Sequence, residues 1–140
     1  MQDTFFVDNI NPDGKKFDKV SRIEARSEKL DLYMQLDVNT EVYPIKEKSN
    51  YVVLLTPSLN EDGSTAVNYH NLDGRGSIAD KFEYIMYGKL YKISERGSGE
   101  NLKTEIYLSF GGLLMVLQGN PSYVTDFHLD QNLFLCMRKL

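Results

Sequence analysis

The sequence of 140 residues has no tryptophan, one cysteine, two histidines and four prolines. A single cysteine excludes an intrachain disulfide, and with it the stapling on which small secreted domains depend. Cys136 falls in the apolar run Leu133-Phe134-Leu135-Cys136-Met137, where a thiol acts as a small buried hydrophobe. One cysteine and two scattered histidines do not make a structural zinc site. Positive charge is not in excess either: 16 Lys and Arg stand against 20 Asp and Glu, a net charge of −4. A chain that mainly grips a phosphate backbone draws its affinity from a basic field. The balance therefore argues against that task and leaves only local basic patches. No window approaches the roughly 18 consecutive apolar residues of a membrane span. The first ten residues carry Asp3 and Asp8 and no basic group, so both parts of a signal peptide are missing. The expectation is a protein inside the cell with no membrane contact.

What is present is a core and the strands to enclose it. The length fits one domain, residues 1–140, able to bury a core without metals. Phe5, Phe6, Val7 and Ile10 open the chain, and Asn11-Pro12-Asp13-Gly14 has turn chemistry. The stretch from Phe17 to Ala25 alternates with one adjustment near Val20, turning Arg22, Glu24 and Arg26 outward. Leu30, Leu32, Met34, Leu36 and Val38 alternate cleanly against Asp31, Tyr33, Gln35, Asp37 and Asn39. Val42 to Ile45 reads as a continuation or a bent second strand, with Pro44 at an edge or break. Tyr51 to Thr56 is the next strand, stopped by Pro57. Residues 58–77 are polar and too long for a hairpin connection, and read as a long mobile loop.

From Lys81 the strand signals resume. Ile85, Tyr87, Lys89, Tyr91 and Ile93 fall on one side, and Tyr84, Met86, Gly88 and Leu90 on the other. Gly88 marks either a bend at a barrel corner or the close approach of a neighbouring backbone. Glu95 to Asn101 is a hairpin loop, and Gly111-Gly112 is short enough to join two strands as a two-residue turn. Tyr123 to Asp130 is a loop or a single helical turn, and Leu133 to Met137 closes the chain as a strand. The result is an all-β pattern of about eight antiparallel strands with no amphipathic helix of three turns. Such strands must hide their edges, and a closed or nearly closed barrel does so.

No catalytic constellation is readable. His70 stands beside Asp73 in the polar loop. His128 lies between Asp126 and Asp130, which would share its face in a strand and hold a metal weakly; solvated side chains near a turn are the other reading. Asn60-Glu61-Asp62-Gly63 lacks the ligand spacing of a calcium loop. Gly74-Arg75-Gly76 and Gly97-Ser98-Gly99 precede no helix and lack the lysine and hydroxyl of a phosphate loop. Asp31 and Asp37 share a strand face without an apolar pocket to raise a pKa. Ser58, Ser109 and Ser122 have no histidine partner. The expectation is a non-enzyme with no catalytic residue, cofactor or metal.

The aromatic residues leave more open. Small antiparallel barrels hold single strands on aromatic platforms beside cations. Tyr87, Lys89, Tyr91 and Lys92 offer that pattern, as do Tyr33 and Arg22. The same tyrosines serve equally as core or as anchors for a protein partner.

Three stretches carry a family likeness. They are Lys19-Val20-Ser21-Arg22-Ile23-Glu24-Ala25; Ser77-Ile78-Ala79-Asp80 with Tyr84-Ile85-Met86-Tyr87-Gly88-Lys89-Leu90-Tyr91-Lys92; and Tyr107-Leu108-Ser109-Phe110-Gly111-Gly112-Leu113-Leu114-Met115-Val116-Leu117-Gln118-Gly119-Asn120. In order and spacing they resemble the small common barrel subunit shared by the eukaryotic nuclear RNA polymerases I, II and III. The resemblance implies an OB-fold-like barrel and a nuclear, non-catalytic subunit that docks on the largest polymerase subunit beside neighbouring subunits. It also implies a part in assembly. Weak contact with single-stranded nucleic acid is a lesser implication. In this chain Val116 and Gln118 stand where such subunits commonly carry a basic and an acidic residue. The candidate partner interface is Tyr87, Tyr91, Tyr107, Gly111, Gly112, Leu113, Leu114 and Met115. For nucleic acid the candidates are Arg22, Tyr33, Lys89 and Lys92.

Overall fold

The computed structural model describes residues 1–12, 14, 19–60 and 77–140. Among them eight strands form: β1 (Gln2–Ile10), β2 (Val20–Ser27), β3 (Tyr33–Asn39), β4 (Asn50–Thr56), β5 (Tyr84–Arg96), β6 (Lys103–Phe110), β7 (Leu113–Gly119) and β8 (Asn132–Lys139). They close into a barrel in the order β1-β2-β3-β7-β6-β5-β8-β4, every pair antiparallel. The OB-fold-like barrel expected from the sequence is the fold found.

Alternation makes the enclosure. Leu32, Met34, Leu36 and Val38 all point inward and are buried, as do Tyr51, Val53 and Leu55 on β4. Each large apolar side chain taken from water in this way stabilises the fold by about 1.5–3 kcal/mol. Closure itself rests on a non-local pairing, because β1 bonds both β2 and β4, with Thr4 opposite Val52. Both chain ends are tied to β4. The Met1 amino group donates to the Leu55 carbonyl at 3.1 Å, and the Leu140 amide donates to the Asn50 carbonyl at 3.0 Å. Burial lowers the pKa of that amino group.

Asp3 is the inward-facing carboxylate of β1. It accepts the amides of Thr4 at 2.8 Å, Lys29 at 2.9 Å and Leu30 at 2.8 Å, which pins the β2–β3 turn. Burial alone would raise its pKa; these amides and Ser27 together outweigh burial and hold it below the usual carboxylate value.

Residues Val42 to Ile45 form no strand, against the sequence expectation. They belong to the β3–β4 connection, and Pro44 cannot donate to a ladder. The connection lays the Tyr43 ring flat on Tyr84, with centroids 5.1 Å apart and planes 5° from parallel, while Tyr51 meets Tyr43 edge-on at 6.3 Å. β2 begins at Val20; Phe17 lies outside the described residues. So do His70, Gly74-Arg75-Gly76 and most of the polar stretch 58–77. The flanks of that stretch meet, with Asn60 bridged to Ser77 and the Ile78 amide donating to the Leu59 carbonyl at 2.6 Å.

A candidate docking surface around the Gly111–Gly112 turn

β6 and β7 are joined by two glycines with φ of 63° and 99°. Both central positions are left-handed, as a two-residue hairpin that matches strand twist requires. A Cβ at either glycine would meet nothing within 4 Å, so backbone conformation rather than space selects glycine here. The Gly112 amide donates to the Ser109 hydroxyl at 3.2 Å and steadies the turn.

Alternation resumes beyond the turn. Leu114 points out and is 39% exposed, while Met115 points in and is 1% exposed. Met115 thus belongs to the core, which corrects its place among the partner-facing candidates: its neighbour faces solvent, so it cannot. Leu113 is half-buried at the rim.

Next to the turn lies an apolar patch. Val42 is 69% exposed and Tyr87 54% exposed. The Tyr87 ring rests on Phe134, with centroids 4.5 Å apart. A cleft of 290 Å³ runs through the patch, lined by Val42, Ile85, Tyr87, Phe110, Gly111 and Leu113 among others. Tyr84 also lines it. The Tyr84 hydroxyl accepts the Asn39 amide at 3.1 Å, and burial raises its pKa. Tyr43 donates to the Glu83 carboxylate at 2.6 Å; burial first and then this bond raise the tyrosine's pKa, and the bond lowers that of Glu83.

The remaining candidates lie on one outer face but in two groups. The first group sits on β5 and β6. Tyr91, 45% exposed, occupies a bulge where the β5–β6 register shifts between Leu90 and Lys92. Its ring lies 6.2 Å from that of Tyr107, and the Lys92 ammonium stands 4.9 Å above the Tyr107 ring. Lys89 pairs with Ser109 nearby. The bulge also reverses the expected alternation, because Ile93 pairs with Ile106 on the inner side and no longer shares a face with Ile85.

The second group sits on β2 and β3. Arg22 donates to Asp37 at 2.7 Å through Nε and 3.2 Å through Nη2. Tyr33 donates to Glu24 and accepts from the Gln35 amide group at 3.1 Å; burial, then Glu24, raises its pKa. Between the groups runs β7, with Val116 opposite Gln35 on one side and Tyr107 on the other. The four nucleic-acid candidates therefore do not converge.

Among the described residues no three His, Cys, Asp or Glu side chains gather to hold a metal. His128 lies in a turn after the helical turn Pro121–Val124, so the strand geometry that would align it with Asp126 and Asp130 does not arise. Asp31 sits in the β2–β3 turn at φ 53° and does not share a strand face with Asp37. Cys136 is buried, which pushes its thiol up to about 11. Among the described residues, those lining a cleft of 810 Å³, Leu54, Ile78, Lys81, Phe82 and Arg138 among them, include no carboxylate or histidine. No helix among the described residues is long and apolar enough to cross a membrane.

Sequence reasoning missed Val42 and Phe134 as parts of the patch. The exposed valine gave no signal because its segment resembled a strand. Phe134 gave none because every residue from Leu133 to Met137 is apolar.

Residues 2–139 match the family described as RNA polymerase Rpb8. A protein of Arabidopsis thaliana, DNA-directed RNA polymerases II, IV and V subunit 8B, is 55% identical over 140 residues, covering 100% of this chain and 95% of its own. A Dictyostelium discoideum protein, DNA-directed RNA polymerases I, II, and III subunit rpabc3, is 41% identical over 139 residues, with 99% and 96% covered. The Saccharomyces cerevisiae subunit RPABC3 is 33% identical over 147 residues, with 99% and 97% covered.

Proposed function

We propose, from the premise that this chain belongs to the RNA polymerase Rpb8 family, that the patch around Gly111-Gly112 seats it on the largest polymerase subunit. The chain is a non-catalytic subunit of nuclear DNA-directed RNA polymerase, and its partners are polymerase subunits. Polymerase II is common to the names of the three relatives, and two of them add I and III. We assign this chain to I, II and III.

One observation carries the docking reading: Val42, Tyr87 and Leu114, from three distant parts of the sequence, are exposed around one glycine turn. Exposed apolar side chains gathered beside a cleft mark a protein contact rather than a solvated shell. Buried aromatic anchors supply about 2 kcal/mol or more each in such contacts. Tyr87, Gly111, Gly112, Leu113 and Leu114 form this seat, and Tyr91 and Tyr107 extend it along β5 and β6.

The test is co-purification. A tagged chain carrying Val42→Asp and Tyr87→Asp should fold, with its melting temperature lowered only by the lost Tyr87–Phe134 ring contact, and recover far less of the largest subunit than its folded fraction accounts for. Equal recovery would refute the seat.

Weak contact with single-stranded nucleic acid is the second reading, favoured by Lys92 over the Tyr107 ring beside Tyr91 and Lys89. Retention on an oligonucleotide should then fall steeply as salt rises. Retention indifferent to salt would remove phosphate contact.

A further inference from the structure

The barrel is closed, yet its longest strand is not paired along its whole length. β5 runs 13 residues from Tyr84 to Arg96. Its pairing with β8 stops at Lys89 opposite Asn132. Two more backbone bonds follow at Leu90, whose amide donates to the Gln131 carbonyl at 2.9 Å and whose carbonyl accepts the Asp130 amide at 2.8 Å. There the neighbouring chain turns away through Asp130 at φ 67°. From Tyr91 to Arg96 only β6 bonds the strand, and no described residue pairs with its other edge. Six residues of free edge span about 20 Å.

We propose that this edge takes up an extended acidic segment of a partner polypeptide, which adds to the sheet as a further strand. Partner chains add to exposed strand edges through main-chain bonds, and the side chains beside the edge select the sequence. The backbone feature specifies an extended peptide. Charge specifies its character. On the outer side of β5 and β6, register places Lys89, Lys92 and Arg96 from one strand and Lys103 from the other. The carboxylate among them, Glu105, is ion-paired with Arg96. The outer side alone carries this excess of cations, four against Glu105; Glu95 falls on the inner side opposite Thr104, and Glu100 lies in the connecting loop. On the inner side Ile93 is 41% exposed and offers an apolar contact to alternate residues of the incoming strand. Edges left to solvent are normally blunted by bulges and charges; the bulge at Tyr91 and the charges of Lys92, Glu95 and Arg96 guard this one against indiscriminate pairing, and the exposed Ile93 remains on it for a matched strand.

The same cations and rings would serve a nucleic-acid strand. A nucleic acid could take the N–H groups of an open main-chain edge as phosphate donors but would leave its alternating carbonyls unpaired, so the peptide accounts for more of what is present. The identity of the partner as a polymerase chain rests on the family assignment. The edge shares Tyr91 with the extension of the Gly111-Gly112 seat, and from Lys92 to Arg96 it lies beyond that seat.

Amide hydrogen exchange tests it, comparing the free chain with the chain inside purified polymerase. The segment 91–96 should exchange about tenfold or more slowly in the assembly. A Lys89→Glu, Lys92→Glu chain, folded by its melting curve, should lose that protection while protection at 111–116 remains. Unchanged exchange at 91–96 alongside protection at 111–116 would overturn the edge and leave the seat standing. Full protection in the charge-reversed chain would overturn the acidic partner. Protection of 91–96 in the free chain by oligodeoxythymidylate would replace the peptide with nucleic acid and overturn the proposal.

Discussion

The Asp37 carboxylate accepts the Leu114 backbone amide at 3.0 Å across 77 residues of sequence. The same carboxylate holds Arg22 through two bonds, at 2.7 and 3.2 Å. One nearly buried side chain on β3 thus ties β2 to the start of β7, just where the residue register between β3 and β7 ends at Leu36 opposite Met115. Asp37→Ala leaves a part-buried amide and a guanidinium without this acceptor. The expected loss is about 1–3 kcal/mol of stability. It should appear as a lower urea midpoint with an unchanged slope. A midpoint equal to the parent's would show that water serves the Leu114 amide as well as Asp37 does.

Gly88 answers the question its position raised. A Cβ there would stand 2.1 Å from the Ser109 carbonyl oxygen and 2.8 Å from the Phe110 Cα. Both are backbone atoms, so the close approach cannot be relieved by a rotamer change. Gly88→Ala should therefore destabilise by about 1–3 kcal/mol through overpacking. Gly112→Ala meets open space and suffers only the strain of φ 99°, also about 1–3 kcal/mol. Thermal melts record both losses. Structure separates them: Gly88→Ala must shift the β6 backbone and move the Ser109 and Phe110 amide resonances, and Gly112→Ala should disturb only the turn. Identical resonance maps would contradict the contact at Gly88.

Tyr33, Tyr43 and Tyr84 are each held above the ordinary phenol pKa, chiefly by burial, and the first two also by donating to Glu24 and Glu83. A folded pKa above the unfolded one contributes stability that is fully present below the unfolded value, about 10 for tyrosine. That contribution is lost as pH rises through the folded value. The barrel should hold its stability through neutral pH and weaken progressively above about pH 10. Urea midpoints at pH 8 and pH 11 measure this. Tyr43→Phe keeps the stack on Tyr84 and removes one of the three groups, so its midpoint should fall less between the two pH values. Parallel falls in parent and variant would exclude Tyr43 from the alkaline transition.

Much of the barrel is visible in the chain because a half-buried strand writes its own alternation. Leu32 to Val38 is the plainest case, and Gly111-Gly112 is as plain a turn. What alternation reports is which side chains share a face. It does not report what covers that face. Asp37 therefore reads as solvent-facing, although Arg22 and the Leu114 amide enclose it. Met115 and Leu114 are both apolar, so the pattern cannot tell core from surface between them, and only the fixed direction of the turn decides. The bulge at Tyr91 adds a residue without any local mark and turns Ile93 to the other side. Tyr43 lies in a connection without periodicity, and its stack on Tyr84 is set by residues 41 positions away. Barrel closure between β1 and β4 is likewise a pairing of distant segments, for which a single sequence carries no local signal.

Leu114 and Met115 are adjacent and face opposite ways, so they separate folding from docking within one strand. Met115→Ala removes buried volume and should destabilise by about 2–5 kcal/mol. Its recovery with polymerase should fall only as far as the folded fraction falls. Leu114→Asp changes a position 39% exposed, beside the Asp37 carboxylate that accepts its amide, and should cost about 0.5–2 kcal/mol of stability. A carboxylate placed in an apolar contact must be desolvated without a partner, which opposes docking. The Leu114→Asp chain should therefore remain folded and be depleted from purified polymerase well beyond any loss of its folded fraction. Both quantities come from one preparation, a melt and a quantified pull-down. If Leu114→Asp enters polymerase as readily as the parent, the seat does not include β7. If Met115→Ala melts like the parent but fails to enter, the inward placement of Met115 is wrong.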